Sequence, residues 1–499
     1  MICKQFVKVL FPFRYEKDGN NNLENVIVVN EKGNEKHLFA RVGFEGANLR
    51  KGVQGLFSAT ENVSKIVDCY CLECDARAYI GLPRRKDESM LFHTREKKEG
   101  NPYSVAVNEI ALYLFESGVG FVEMECGFES QSVSDYISCN YFLTEIKSGA
   151  NYFVAQKRVW NVEEKREERT ETRFTVRELL QKVLEPVSGV KEFYSEKEWG
   201  HTQEKGIIYS YLYLEEKTED FERWIHNIRN NYKETYKVLQ RYKSLEEDPN
   251  VRQQFENSYW VTSYNGTINV SHKTDNDATN LFFEKDFFSK MHSTYYILFL
   301  AVLHQRFALL KAMTESVEIS NLNLGYEDTK RQLVQIGDYR LQVHRLKCRA
   351  FFEKPSYVQH VNDYYELIET SYCVDELYSD LSMRLEEVEQ ICDVYVERIN
   401  AHEERLSKRR NAKVEIFVSV FGTIVGLLTV LNEAWELLEK LFGIPQGTLS
   451  VPVLVLALFL WIPSVMVCIN VVNKVKEIKE ITREIKRETP VPEQKKKGK

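Results

Sequence analysis

The sequence predicts an α+β domain followed by a long α-helical stalk and two transmembrane helices. Three observations carry that reading. Apolar residues recur in steps of four and three at Val374, Tyr378, Leu381, Leu385, Val388, Cys392, Tyr395 and Ile399, and the phase runs on through His402 to Leu406. Such a seam marks one face of a long helix that packs on others. Two apolar stretches follow, Val414–Leu431 and Val451–Val472, the first charged only at Glu415. Both reach the length that crosses a bilayer core, the first at the short end. Before residue 283 the chain alternates short strand-like runs, helical patterns and turn signals.

Taken in order, the run Met1–Tyr15 is apolar but interrupted by Lys8 and Arg14, which suits an early strand over Phe6–Phe13 rather than an export signal. Asn25–Asn30 reads as a strand. Ile110–Phe128 reads as two strands joined by a turn at Ser117–Gly120. Glu163–Arg173 mixes acids and bases, which suits a solvated helix face or a loop. Val176–Leu184 and Phe221–Leu245 carry helical patterns, with a strand at Ile207–Leu214 between them. Ser258–His272 is a hairpin with Asn265 and Gly266 at its tip, the pair that accepts the positive φ of a tight turn. Residues 284–316 form a long helix. Its middle, Tyr295–Leu303, is continuously apolar, but His304 and Arg306 follow at once, so it is a buried core helix and not a span. Arg331–Glu353 is a further helix, stopped before Pro355. No Gly or Pro then occurs from Tyr364 to Phe421, and at 1.5 Å per residue the seam makes a rod of roughly 50 Å.

These elements divide the chain into a mixed α/β region at 1–283, a long-helix and stalk region at 284–410, a two-span membrane region at 411–472 (spans 414–431 and 451–472) and a basic tail at 473–499. The membrane orientation follows from charge. Arg405, Lys408, Arg409, Arg410 and Lys413 precede the first span, and Lys474, Lys476, Lys479 and Arg483 follow the second. The connection between the spans carries Lys440 against Glu433, Glu436 and Glu439. Positive charge stays on the cytosolic side, so both termini are expected in the cytosol of a multi-pass protein of the inner or plasma membrane. Within the connection Trp435, Leu438, Leu441 and Phe442 share a helical face, which fits either an interfacial helix or a packing contact.

A net charge of −7 over 499 residues argues against direct nucleic-acid binding. Ten cysteines without a paired framework read as reduced thiols. There is no P-loop; Gly118 and Gly120 sit in a hairpin-like context where a turn outweighs a phosphate loop. Cys69, Cys71 and Cys74 have no partner pair at zinc spacing, and His272, His292, His304 and His344 form no metal motif, so no metal ligand is singled out. No catalytic signature is present, and the chain is not expected to be an enzyme. Basic clusters remain. Arg84, Arg85 and Lys86, then Arg95, Lys97 and Lys98 with Tyr103, could receive a phosphate-bearing ligand, or form a solvated loop.

The seam is wider than a strict a/d line, since Leu377, Ile391 and Val396 flank it. Two packings follow: a homo-oligomeric bundle, which is the expectation, or contacts within the chain. In a bundle, the phase continues through Lys413, Ile416, Val420, Thr423, Leu427 and Val430. Ile416, Val420 and Leu427 then make apolar constrictions that close a pore by dewetting, Thr423 is the polar ring, and Asn432 and Glu433 ring the outer mouth. The competing reading has the helix facing lipid with Thr423 bonded back to the i−4 carbonyl.

The plan over residues 284–487 resembles the CorA family of divalent-cation channels: a cytosolic α/β domain, a stalk helix entering the first span, a second span and a basic tail. The resemblance implies a funnel-shaped pentamer with the first span lining the pore and a divalent cation such as Mg as the permeant ion. The family's Gly-Met-Asn signature is absent; the span ends Thr429-Val430-Leu431-Asn432, and only Asn432 matches. The segments Leu112–Glu125, Tyr259–Thr267 and Tyr295–Lys311 are similar to a group of CorA-like proteins that lack the signature, some of which are membrane effectors of type III CRISPR defence. That resemblance implies gating by a small nucleotide second messenger, a conjugate of S-adenosylmethionine with AMP. Two readings stand beside the gated channel: a constitutive transporter of Mg, Co, Ni or Zn, and a membrane-tethered cytosolic enzyme or interaction protein.

Overall fold

The computed structural model describes residues 1–16, 23–29, 35–44, 46, 48–58, 65–95, 102–146, 149–161, 166–190, 205–230, 245, 247–320, 326–350, 352–442 and separate residues within 455–483. The chain divides into two compact units. The first comprises Met1–Leu322 and Gln335–Glu386, the second Asn323–Val334 and Glu387–Lys499.

The first unit is built on strands β1 (Ile2–Arg14), β2 (Ile27–Val29), β3 (Glu35–His37), β4 (Phe39–Val42), β5 (Val67–Leu72), β6 (Ser89–His93), β7 (Tyr103–Phe115), β8 (Val119–Phe128), β9 (Tyr152–Asn161), β10 (Arg166–Thr175), β11 (Ile207–Leu214), β12 (Val251–Phe255), β13 (Ser258–Ser263) and β14 (Gly266–His272). Its helices are α1 (Lys51–Leu56), α2 (Val133–Leu143), α3 (Val176–Leu184), α4 (Phe221–Arg229), α5 (Asp277–Phe282), α6 (Phe288–His292), α7 (Thr294–Ser320), α8 (Tyr326–Ala350, which belongs to this unit from Gln335 on) and α9 (Gln359–Ser371); α10 (Val374–Phe442) begins here too. One large sheet runs β10-β9-β6-β7-β8-β1-β11-β14-β13-β12, with β5 beside the second half of β7 and β4 on β5. Every pair is antiparallel except β11 with β14. A separate ribbon pairs β2 with β3.

Strand alternation sends each strand into two cores. In β1, Val7, Val9, Phe11 and Phe13 face the core closed by α2, α3 and α4. Phe6 and Leu10 face the other, which α7, α9 and the start of α10 close. In β11, Ile208 and Leu212 take the first face, and Tyr209, Tyr211 and Tyr213 the second. Both faces being covered explains the near-continuous apolar runs. The unit is therefore an α+β three-layer sandwich.

Several expected elements stand as read: α3, β11 and the β13–β14 hairpin match their ranges, and β7 and β8 turn at Ser117 and Gly118. Others differ. Much of the charged run Glu163–Arg173 lies in β10, not in a helix or loop, because it pairs along its whole length with β9 at the sheet edge, where charge is tolerated. The helix expected at Phe221–Leu245 is described as α4, and 231–244 lie outside the described residues, as do Lys97 and Lys98. The helix expected over 284–316 is broken. A π turn at Phe283–Phe287 precedes α6, and Ser293 separates α6 from α7. Buried phenols accommodate these irregular turns: Tyr211 donates to the Phe283 carbonyl at 3.0 Å and Tyr209 to that of Met291 at 2.7 Å.

A charged group is sealed between sheet and α7. Lys8 on β1 pairs with Glu123 and, at 3.1 Å, with Glu125, both on β8. The phenols of Tyr113 and Tyr296 both donate to Glu123, and the Lys8 ammonium lies 4.5 Å from the Tyr296 ring centre. Burial pulls the Lys8 pKa down, yet the two carboxylates outweigh it and hold it above its ordinary value. Burial pushes Glu125 up, but Lys8 and then His292 bring it down to about 2.

The long stretch from Tyr364 is also divided. Tyr372 and Cys373 separate α9 from α10, with Cys373 in the left-handed region at φ 51°. Arg306 of α7 is nearly buried and donates to the Tyr372 carbonyl at 2.5 Å. A carbonyl claimed from the side leaves the helical ladder, which fits the break here. Of the first four seam positions of α10, Val374, Leu381 and Leu385 are buried in the sandwich and Tyr378 is half-buried against it.

The second unit is helical. Two helical runs among the described residues are long and apolar enough to cross a membrane. The most apolar 18-residue window of Asp277–Ser316 is 83% buried in the first unit, so this is a core run, whereas none of the corresponding window of Glu403–Val430 is buried. Val414, Phe417, Val418, Phe421, Ile424 and Leu428 of that stretch are all exposed. The described residues of 461–479 are helical, and Lys474 pairs with Glu415.

Candidate functional site

The first unit holds a cavity of about 570 Å³, within the usual range for small-molecule sites. Four elements supply most of its lining. The end of β1 supplies Arg14 and Tyr15, and the β7–β8 turn supplies Glu116, Ser117 and Gly118. One face of α7 supplies His304, Ala308, Lys311 and Glu315, spaced four, three and four residues apart, which aligns them along the helix. From α8 come Tyr339, Gln342, Val343, Arg345, Leu346 and Arg349.

The turn is held rigidly. The Gly118 carbonyl accepts from the Tyr15 amide at 3.0 Å, and the Tyr15 phenol donates to the Phe115 carbonyl at 2.6 Å. Lys311 donates to the Ser117 carbonyl. Gly118 has φ +76°, and a Cβ there would lie 2.6 Å from the Lys311 ammonium, so both the backbone and the lysine need glycine.

Charge surrounds this frame. Arg14 meets Glu315 at 2.9 Å, Lys311 meets the same carboxylate at 3.7 Å, and Arg349 meets Glu116 at 2.7 Å. Arg345 makes no ion pair among the described residues. At the base, His304 stacks on Phe115 with ring centres 4.0 Å apart, and its Nε2 shares a hydrogen bond with the Ser117 hydroxyl at 3.0 Å. Burial pushes the His304 pKa down to about 3, so the ring is neutral at physiological pH.

That burial sets an expected pH dependence. Between pH 6.5 and 3 the unfolded chain takes up a proton that the folded ring refuses. The His304 contribution is therefore complete above pH 6.5 and is lost as pH falls toward 3, at about 1.4 kcal/mol per pH unit. His304→Gln keeps a hydrogen-bonding group for Ser117 and should flatten this part of the curve. Urea unfolding at a series of pH values reads the slope, and equal slopes for variant and parent would sink the assignment.

The residues singled out from sequence lie elsewhere. Arg84 and Arg85 are exposed on the segment before β6, and Arg95 is exposed with one nitrogen 2.8–2.9 Å from both Glu145 oxygens. Tyr103 is buried in the opposite core. None of the four lines this cavity. On α10, Ile416 and Thr423 are half-buried and share a face with buried Ala412, while Val420, Asn432 and Glu433 are exposed. Thr423 donates to the Ser419 carbonyl at 2.7 Å, the back-bonded state. The side chains of Leu427, Trp435, Leu438, Leu441 and Phe442 lie outside the described ones. Cys69 is buried, Cys71 donates to Glu109 and Cys74 is exposed. Among the described residues no group of three or more His, Cys, Asp or Glu is placed to hold a metal.

The fold and cavity together define an α+β sandwich continued by a helical region with an exposed apolar helix. No family model, no curated protein and no solved structure matches the chain.

Proposed function

We propose that this chain is a ligand-gated membrane effector. In this reading it is an oligomeric channel of CorA-like plan, gated by a small nucleotide messenger and acting through ion flux or membrane disruption in type III CRISPR defence. The observation that carries the reading is α10, a single helix that starts among buried residues of the sandwich and includes the exposed apolar stretch after Lys413. A helix shared between a cavity-bearing unit and an apolar segment is a route by which binding can alter the membrane. The Glu415–Lys474 pair supports two spans, because it joins the start of the first apolar stretch to the end of the second, as in a hairpin with both ends at one membrane face. The basic residues on those ends put that face in the cytosol.

On this proposal Ile416, Val420 and Leu427 close the pore, with Thr423 inside and Asn432 and Glu433 at the outer mouth. The ligand must bind the open state more tightly, about 10⁴-fold for a full switch from 1:99 to 99:1. Ion flux through purified protein in liposomes, with and without a panel of nucleotides, tests it. Flux only with a nucleotide is the expected result. Steady Mg flux without one would return the chain to the constitutive transporters, and absence of flux under every ligand would favour a tethered cytosolic domain.

A further inference from the structure

We propose that the cavity between the β7–β8 turn, α7 and α8 binds a small organic phosphate of nucleotide size, with Arg345, Arg349 and Lys311 as the phosphate clamp. As the site of gating, it rests on the function proposed above; as a binding site it stands independently. Four cationic side chains line the cavity, Arg14, Lys311, Arg345 and Arg349, against the carboxylates Glu16, Glu116 and Glu315. The pairing is uneven. Glu315 answers both Arg14 and Lys311, Glu116 answers Arg349, and Arg345 makes no ion pair among the described residues. The lining thus offers one more positive charge than its carboxylates.

The arrangement selects the ligand's charge. Arg345 and Arg349 are four residues apart on α8 and share its face, with Lys311 supplied by α7. Two guanidinium forks suit the several oxygens of a phosphate or diphosphate better than a single carboxylate. The carboxylate holding Arg349 can yield to such an anion, because the Glu116 side chain is 46% exposed and can turn to water. The rest of the lining selects an uncharged body. Ile66, Ala308, Ala312, Val343 and Leu346 make an apolar shelf, and both tyrosines are committed elsewhere, Tyr15 to the Phe115 carbonyl and Tyr339 to that of Ala312. A flat ring fits that shelf with its phosphates toward the arginines.

The full-length chain in detergent is titrated with ADP, inorganic pyrophosphate, adenosine and citrate, and binding is read by calorimetry and by the shift in melting temperature. ADP should bind, pyrophosphate more weakly, and adenosine and citrate not measurably. Arg345→Ala should weaken ADP at least about tenfold with the melting temperature of the free protein unchanged, since this exposed side chain holds no ion pair. Lys311→Met should weaken it as well. No binding of either phosphate compound at millimolar concentration overturns the proposal, as does citrate binding as well as ADP or an Arg345→Ala variant that binds like the parent. The gating reading fails separately. Arg345-dependent ADP binding with no flux under any ligand keeps the site and removes the gate. Nucleotide-dependent flux that survives intact in an Arg345→Ala, Arg349→Ala variant keeps the gate and removes the site.

Discussion

Lys8→Met is expected to destabilise the first unit by about 3–5 kcal/mol. Lys8 is the ammonium between two carboxylates, Glu123 and Glu125, on the sheet face that α7 covers. Methionine fills a similar volume but leaves Glu123, 1% exposed, as a buried charge with only the phenols of Tyr113 and Tyr296 to answer it. The cost is that of an uncompensated charge, not of lost apolar contact. The double variant Lys8→Met, Glu123→Gln should regain most of the loss, because a neutral amide still bonds the phenols without needing a counter-ion. Urea unfolding followed by tryptophan fluorescence measures both, since Trp260 is buried in the same core. Equal losses in the single and double variants would refute the charge argument. The variant should also lose acid resistance. Glu125 is held down to about 2 with Lys8 the leading favourable charge, so its contribution is full above its ordinary 4.5 and disappears as pH falls toward 2.

The second large effect is expected at Arg306. His304 and Lys311 of α7 line the cavity, while Arg306 of the same helix grips the Tyr372 carbonyl at the root of α10. Its guanidinium also lies 4.8 Å from the Tyr264 ring centre and 5.9 Å from that of Tyr372. Arg306→Met removes a charged hydrogen bond and two cation–π contacts, for an expected loss of about 3 kcal/mol. Arg306→Lys keeps the charge without the planar fork and should regain only part of it. The functional consequence separates a relay from a brace. If α7 carries the state of the cavity to α10, Arg306→Met leaves ligand binding near the parental value but changes the ligand dependence of flux. A variant that is less stable yet gates like the parent would make Arg306 a brace alone.

Much of the first unit could be read from local signals. The Thr175 cap and the apolar period of Val176–Leu184 define α3 by themselves, and Asn265 and Gly266 mark the β13–β14 hairpin, although its two turn residues are Tyr264 and Asn265 and Gly266 already pairs with Ser263. These signals are short-range, so neighbours cannot overrule them easily. β10 was illegible for the opposite reason. Arg166–Thr175 has the composition of a solvated face, and only its partner β9 makes it a strand. The break at Ser293 is similar, since the phenols beside it come from β11. The cavity was hidden because its residues come from stretches near 15, 66, 117, 310 and 345. One trace was present: His304, Lys311 and Glu315 make a polar line along one face of a helix whose first half is largely apolar. The basic clusters at Arg84, Arg85 and Arg95 were easier to see because they are contiguous, and contiguity in sequence says nothing about convergence in space.

By itself, then, the sequence determined the α+β character of the first unit, the heptad seam of α10 and the apolar stretch that follows it. Each of these is a periodicity or a composition over a few turns, which local sterics and water alone impose. Only the tertiary structure decided which apolar helix is covered and which is exposed. Asp277–Ser316 and Glu403–Val430 are both apolar enough to cross a membrane, but a twelve-stranded sheet buries the first. The tertiary structure also decided which cations meet. Charge is long-ranged and carries no periodicity, so Arg14, Lys311, Arg345 and Arg349 become one site only when β1, α7 and α8 are packed around the β7–β8 turn.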